Sequence, residues 1–243
     1  MNLALAKKTI GDALDGTFAA AREQLPGSDR VVEIRQRAFD EFATRGLPTR
    51  RVEDYKYTDL RVLLRDVAPL SQAPDDAALA QAKTAVATLG ISDTHKLVIV
   101  DGVYSSDLSD TAAMVGVSVK SLRDVLNDAS IEARADLLLS RVDDPMIALN
   151  AAFATDGFVV DIAEGASPAK PIHIIHVATR KAMAAFTRSL IKINAKAHAT
   201  LVESFISTEG AAGYQVHDTA VILVGDDADV QHVRILEIGR AHV

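Results

Sequence analysis

The sequence predicts a mixed α and β fold in which a helical domain precedes a β-rich part. Two observations support this prediction. Apolar residues recur at helical spacing through the first third of the chain, whereas beyond about residue 150 short β-branched runs alternate with turn residues. We therefore expect a helical N-terminal domain at residues 1–90, a small α+β connecting region at 91–155 and a β-rich region at 156–243.

Two helices are predicted before residue 46. The break at Pro26–Gly27 separates them, Ser28 or Asp29 is suited to cap the second, and Gly46 is suited to end it. Each has an apolar stripe, so the two should pack together. The stripe residues are Leu3, Ile10, Leu14, Phe18, Ala21 and Leu25 in the first helix and Val31, Ala38, Phe39 and Phe42 in the second.

The next hundred residues mix helix and strand signals. An alanine-rich segment from Asp75 to Leu89 predicts a helix ending at Gly90. Residues 97–100 predict a strand that stops at Asp101–Gly102, a dipeptide suited to a hairpin turn. Alternating valines at 115–119 predict another strand, and leucines near 122–126 and 137–139 predict short helices.

The β-rich region contains six predicted strands. They are Phe158–Ile162, Ile172–Val177, Leu190–Ile193, Ala199–Ile206, Ala220–Val224 and Val230–Ile238. Short strands at nearly regular spacing form sandwiches, barrels or solenoids. The sequence ends soon after an apolar strand, without a polar cap. This ending favours a solenoid and suggests that the sequence is the front part of a longer protein. We also expect the uncovered strand edges to associate with one another.

Composition excludes several classes of protein. The 243 residues include no cysteine, which excludes disulfides, thiolate nucleophiles and cysteine-bound iron–sulfur clusters on this chain. The formal charge of −7 and the lack of a long apolar run argue against nucleic-acid and membrane partners. Lys7 and Lys8 interrupt any signal-peptide pattern, so a cytoplasmic protein is expected. The sequence has neither a Walker phosphate loop nor a Gly-x-Ser-x-Gly elbow, so it gives no support for ATP hydrolysis or serine-hydrolase chemistry.

His173 and His176 are the first candidate metal ligands. Imidazole is a common ligand, but a separation of three places two strand side chains on opposite faces, where they cannot share an ion. We therefore expect packed or surface histidines and no metal site.

A second set of polar residues lies further along the β-rich region. His217–Asp218 and His232, which follows Asp226–Asp227 and Gln231, would bind iron only if successive strands stacked them together. Nothing in the sequence fixes that register, so solvent-facing side chains are expected. Glu203 lies within an apolar run, and an outward, solvated glutamate is favoured over an inward one, which would need a charged partner.

Residues 47–60 form the most distinctive segment. Pro48 stiffens the exit from the second helix, and in an extended segment Tyr55 and Tyr57 would share one face while Lys56 pairs with Glu53 or Asp54. We interpret the two tyrosines as anchors that hold the segment against the rest of the molecule.

This segment resembles the P-x-R-x-x-E-x-W-K-Y-T motif of the SufD family, which SufB shares in a related form. Tyr55 stands where tryptophan is usual. The resemblance continues through Asp101–Tyr104, Leu149–Phe153 with Asp156–Gly157, Pro171–Ile174 and Ala197–Ser204. The motif residues, structural or interacting, are Pro48, Arg50, Glu53, Tyr55, Lys56, Tyr57 and Thr58.

The resemblance implies a fold and a role. It implies a helical N-terminal domain, then the start of a right-handed parallel β-helix, a single-stranded β-solenoid, at 156–243. It also implies a non-catalytic scaffold that pairs with SufB-like and SufC-like subunits. Such a complex holds an Fe–S cluster. No residue here inherits a cluster-related or catalytic role, and cofactor-binding residues are unknown. A homodimer, a SufB-like paralogue, and a β-solenoid enzyme acting on carbohydrate or acyl groups are the alternatives.

Overall fold

The computed structural model describes residues 10–64, 68–140 and 142–236. The helices in these residues are α1 (Ile10–Ala21), α2 (Arg30–Arg45), α3 (Leu60–Leu63), α4 (Asp76–Thr88), α5 (Leu122–Asn127) and α6 (Pro145–Phe153). The strands are β1 (His95–Val100), β2 (Val103–Ser105), β3 (Val117–Ser121), β4 (Phe158–Ile162), β5 (Ile172–Ala178), β6 (Ala184–Ile193), β7 (His198–Ser207), β8 (Gln215–Val224) and β9 (Asp229–Leu236).

The predicted pairing of the first two helices is confirmed. Phe18 of α1 stacks on Phe39 of α2 with ring centroids 4.3 Å apart, and Phe153 of α6 meets both rings edge-on. Gly46 ends α2 with a backbone hydrogen bond to Phe42. Asp29 occupies the N-cap position, but its side chain makes no capping hydrogen bond there. Leu3, assigned to the first stripe, lies outside the described residues.

The strands form two mixed sheets. One has the order β2-β1-β5-β7-β9 and the other the order β3-β4-β6-β8. Within each sheet the first pair, β1–β2 or β3–β4, is antiparallel and the remaining pairs are parallel. Beyond α6, successive strands from β4 to β9 alternate between the two sheets.

The right-handed parallel β-helix expected for 156–243 is wrong. The described strands form open mixed sheets of five and four strands rather than a single-stranded solenoid. Antiparallel pairs make both sheets mixed. In the five-stranded sheet, Asp101 and Gly102 have positive φ and turn β1 directly back into antiparallel β2, as predicted. An antiparallel β3–β4 pair likewise occupies one edge of the other sheet.

The main apolar core lies between the two sheets. Leu97, Ile174 and Leu201 from the five-stranded sheet meet Phe158 and Ile191 from the four-stranded sheet. The outer face of the five-stranded sheet packs on α4, and that of the four-stranded sheet packs on α1, α2 and α6. Strands β5 and β7 are consequently buried on both faces for most of their length.

Several local predictions also hold, with longer or tighter elements than expected. Strand β4 has the predicted bounds, whereas β6 and β8 begin several residues earlier than the predicted strands. The helix predicted near 137–139 is a 3₁₀ helix at Glu132–Leu138. Among the helices described, none is long and apolar enough to cross a membrane.

Candidate functional site

The two histidines of β5 point to opposite faces, as their spacing predicted. His173 lies on the outer face of the five-stranded sheet, where its Nε2 is 2.8 Å from the Ser204 hydroxyl. His176 shares the inward face with Ile174 and stacks on Phe205 of β7, with ring centroids 4.5 Å apart. Both are buried. They therefore do not share an ion, but His176 meets other polar groups between the sheets.

His176, Glu203 and Asp218 form a buried cluster between the two sheets. One ligand-type atom from each lies within 4.8 Å of those from the other two. His176 Nε2 is 3.8 Å from Asp218 Oδ1. His176 and Glu203 belong to neighbouring strands of one sheet, whereas Asp218 reaches across from β8 of the other. The cluster thus depends on how the sheets pack face to face.

Glu203 is 2% exposed, so the outward, solvated position predicted for it is wrong. Its Oε2 accepts hydrogen bonds from Arg234 at 2.8 Å and from His232 at 3.1 Å. Arg234 and His232 lie on β9, directly beside β7, with Arg234 paired in register to Glu203. An inward glutamate needs a positive partner, and Arg234 supplies it.

The Asp218 carboxylate accepts a hydrogen bond at only one of its two oxygens. Its Oδ1 accepts a 2.8 Å hydrogen bond from the Thr187 hydroxyl, the residue paired with it on β6. Its Oδ2 lies 3.5 Å from Arg234 Nη2 but makes no hydrogen bond, and neither do the two ring nitrogens of His176. Three buried polar atoms therefore stand without a hydrogen-bond partner in one place.

Burial, rather than the carboxylates of the cluster, favours the neutral form of His176. Burial lowers the pKa of the His176 imidazole, an effect that Asp218 and Glu203 oppose and Arg234 reinforces. A neutral imidazole keeps one nitrogen lone pair available. The cluster can therefore offer one nitrogen and two carboxylate groups to a cation.

His217 does not join Asp218. Alternation along β8 turns His217 to the outer face, where it stacks on Phe186 at 4.4 Å in an apolar cavity also lined by Leu14 and Phe153. Desolvation there lowers the pKa of His217 to about 4. The solvent-facing position predicted for it is wrong for this reason.

The remaining acidic candidates lie apart from the cluster. Asp226 and Asp227 are exposed in the turn between β8 and β9. Within the described residues, the groove of converging acids required by a β-solenoid enzyme is therefore not formed by these two and Glu203. Arg234 and Thr187, which complete the cluster, were not identified from the sequence.

The distinctive segment is not extended. Residues 53–55 form a 3₁₀ turn, in which Lys56 pairs with Glu53 as predicted. The Tyr55 hydroxyl donates a 2.9 Å hydrogen bond to Asp144, whose carboxylate also caps α6, while Tyr57 is 88% exposed. Tyr55 is thus an anchor, whereas the anchoring role predicted for Tyr57 is wrong.

The other motif residues divide between the interior and the surface. Pro48 is buried, whereas Arg50, Glu53 and Thr58 are exposed. Arg50 comes within 3.9 Å of Asp59, the N-cap of α3. The motif therefore presents an exposed group of side chains around the single anchor at Tyr55.

Two comparisons with known proteins agree with one another. A curated relative, the iron–sulfur cluster assembly protein SufD of Escherichia coli (strain K12), is 29% identical over 206 residues. That alignment covers 82% of this chain and 45% of the relative, so the chain spans less than half the relative's length. The family model described as the SufBD protein N-terminal region matches residues 17–174, well over half of the sequence. The chain therefore belongs to the SufBD family.

Proposed function

We propose that this chain is a non-catalytic scaffold subunit in cytoplasmic iron–sulfur cluster assembly, and that it pairs with SufB-like and SufC-like proteins. The observation that supports this most directly is the family match over residues 17–174, joined to the 29% identity with a protein named for that assembly process. The cluster is the cargo of such a complex. A chain without cysteine suits a subunit that frames a site built elsewhere in the assembly.

The exposed part of the motif is the proposed contact surface for a partner. Tyr57 is 88% exposed, and the side chains of Arg50 and Glu53 are also mostly exposed. Exposed tyrosine and arginine are enriched where proteins bind one another. Tyr55, which is committed to Asp144, has the structural role instead.

Co-purification tests both statements. The tagged protein in its full natural length is co-expressed with SufB-type and SufC-type proteins of the same organism, and both are expected in the eluate. Tyr57→Ala should reduce their recovery severalfold, whereas Val115→Ala, at an equally exposed position in another surface region, should not. Recovery of the protein alone, or as a homodimer only, would contradict the proposed partners.

A SufB-like role is the second candidate, because the matching family description names both SufB and SufD. The same experiment separates the two. A SufB-like chain would be recovered with a SufD-type partner in place of a SufB-type one when both are supplied.

A further inference from the structure

The buried cluster between the sheets contains polar atoms that ordinary packing does not explain. His176 is 4% exposed, and neither ring nitrogen has a hydrogen-bond partner. Asp218 Oδ2, in the same cluster, also makes no hydrogen bond, although Arg234 Nη2 lies 3.5 Å from it. Buried polar groups in proteins are nearly always bonded, so the unbonded imidazole, whose Nε2 lies 3.8 Å from Asp218 Oδ1, points to a ligand shared with the neighbouring carboxylates.

The chemistry of these donors selects a cation. Glu203 and Asp218 supply carboxylate oxygens and His176 supplies an imidazole nitrogen, a combination that suits divalent first-row transition metals. Metal bonds of about 2.1 Å place neighbouring ligand atoms of one ion about 3.0–3.4 Å apart. The three atoms lie within 4.8 Å of one another, so side-chain movements of about 1 Å bring them to that spacing.

We propose that His176, Glu203 and Asp218 bind a divalent first-row transition-metal ion between the two sheets. Thr187 positions the Asp218 carboxylate through its 2.8 Å hydrogen bond, as outer groups commonly do for metal ligands. This inference departs from the prediction of no metal site, and it does not depend on the proposed partners.

Arg234 limits the affinity of this site. Its guanidinium lies 2.8 Å from Glu203 and 3.5 Å from Asp218, where its positive charge opposes that of an incoming cation. The side chain is 45% exposed and lies on β9 at the sheet edge, so it can move toward solvent when an ion enters. Removing its charge should therefore tighten binding.

The test measures Mn²⁺, Zn²⁺ and anaerobic Fe²⁺ binding to the full chain by equilibrium dialysis and metal analysis. One ion per chain is expected, with affinity reduced at least tenfold in His176→Gln and Asp218→Asn and raised severalfold in Arg234→Gln. His173→Gln is the matched control, because His173 is a buried histidine of the same strand whose partner is a hydroxyl. Circular dichroism verifies that each variant is folded.

A spectroscopic measurement tests the site without any variant. Pulsed electron paramagnetic resonance of Mn²⁺ bound to the unaltered chain should show coupling to the nitrogen of one histidine. Failure to bind any of the three ions would overturn the proposal. So would equal binding by His176→Gln, Asp218→Asn and the control, or bound Mn²⁺ without nitrogen coupling. Because the assay uses the chain alone, its outcome is independent of whether SufB-type partners are recovered.

Discussion

Asp156 connects the two sheets, and its replacement gives the sharpest test of how the fold is held together. The residue is 2% exposed. Its Oδ1 accepts hydrogen bonds from the Ser121 hydroxyl and from the backbone N–H groups of Arg123 and Gly157, at 2.9–3.0 Å. Its Oδ2 accepts a 3.0 Å bond from the N–H of Tyr104. Tyr104 belongs to the five-stranded sheet and Ser121 to the four-stranded one.

The expected losses are graded. Asp156→Ala removes four hydrogen bonds worth about 1 kcal/mol each, so the free energy of unfolding should fall by about 4 kcal/mol or more. Asp156→Asn can retain the three bonds at Oδ1, but it places an amide N–H₂ against the Tyr104 N–H. That variant should lose about 1–3 kcal/mol.

Urea denaturation followed by circular dichroism measures both losses. Asp161→Asn is the control, because Asp161 lies on the adjacent strand β4 with a half-exposed side chain paired to Lys192, and its loss should be below about 1 kcal/mol. If Asp156→Ala and Asp156→Asn lose the same amount, or if both lose no more than the control, the carboxylate does not bridge the sheets as described.

Three further predictions use the same assay. Gly157→Ala should abolish stable folding, because at φ +149° its Cβ would lie 2.0 Å from the Arg188 carbonyl oxygen. Tyr55→Phe should cost about 1 kcal/mol, since it removes one partly exposed hydrogen bond to Asp144. Burial lowers the pKa of His173 below its unfolded value near 6.5. The unfolded state therefore binds more protons, and the free energy of unfolding should fall as the pH drops below about 6.5. His173→Gln should reduce that pH dependence.

Each of these has a contrasting variant. Gly165→Ala, at a glycine where an added Cβ meets nothing within 4 Å, should fold despite its own positive φ. Tyr57→Phe should leave stability unchanged, because that ring is exposed. His198→Gln, at an exposed histidine, should leave the pH dependence intact. A folded Gly157→Ala protein would contradict the steric argument. Equal losses of stability in Tyr55→Phe and Tyr57→Phe, or equal changes of pH dependence in His173→Gln and His198→Gln, would contradict the other two predictions.

Local chemistry explains why some elements could be predicted from the sequence. The α1 and α2 stripes, the stop at Gly46 and the Asp101–Gly102 hairpin depend on residues close together in the chain, where helical period and turn preference act directly. The spacing of His173 and His176 likewise fixed their opposite faces. These predictions needed no knowledge of which strands would become neighbours.

The position of Glu203 shows where such reasoning stops. Alternation separates an apolar face from a polar one only when one face of a strand meets water. Strand β7 is covered by the other sheet on one side. On its other side Val202 and Ser204 are buried too, and Ile206 packs with α4. The alternation of side chains along β7 therefore could not indicate whether Glu203 points inward or outward. The useful signal was Arg234, paired to it in register from β9.

The two histidines of β5 differ in the free-energy cost of burying the imidazole as well as in position. A buried imidazole is inexpensive when it has a partner, as His173 has in Ser204, and costly when it has none. His176 is fully enclosed, stacked on Phe205 and adjacent to Asp218, yet its nitrogens make no hydrogen bond. An apolar side chain at position 176 would pack on the same ring without that cost. The chain instead places a nitrogen close to two carboxylates, an arrangement that the proposed cation would stabilise.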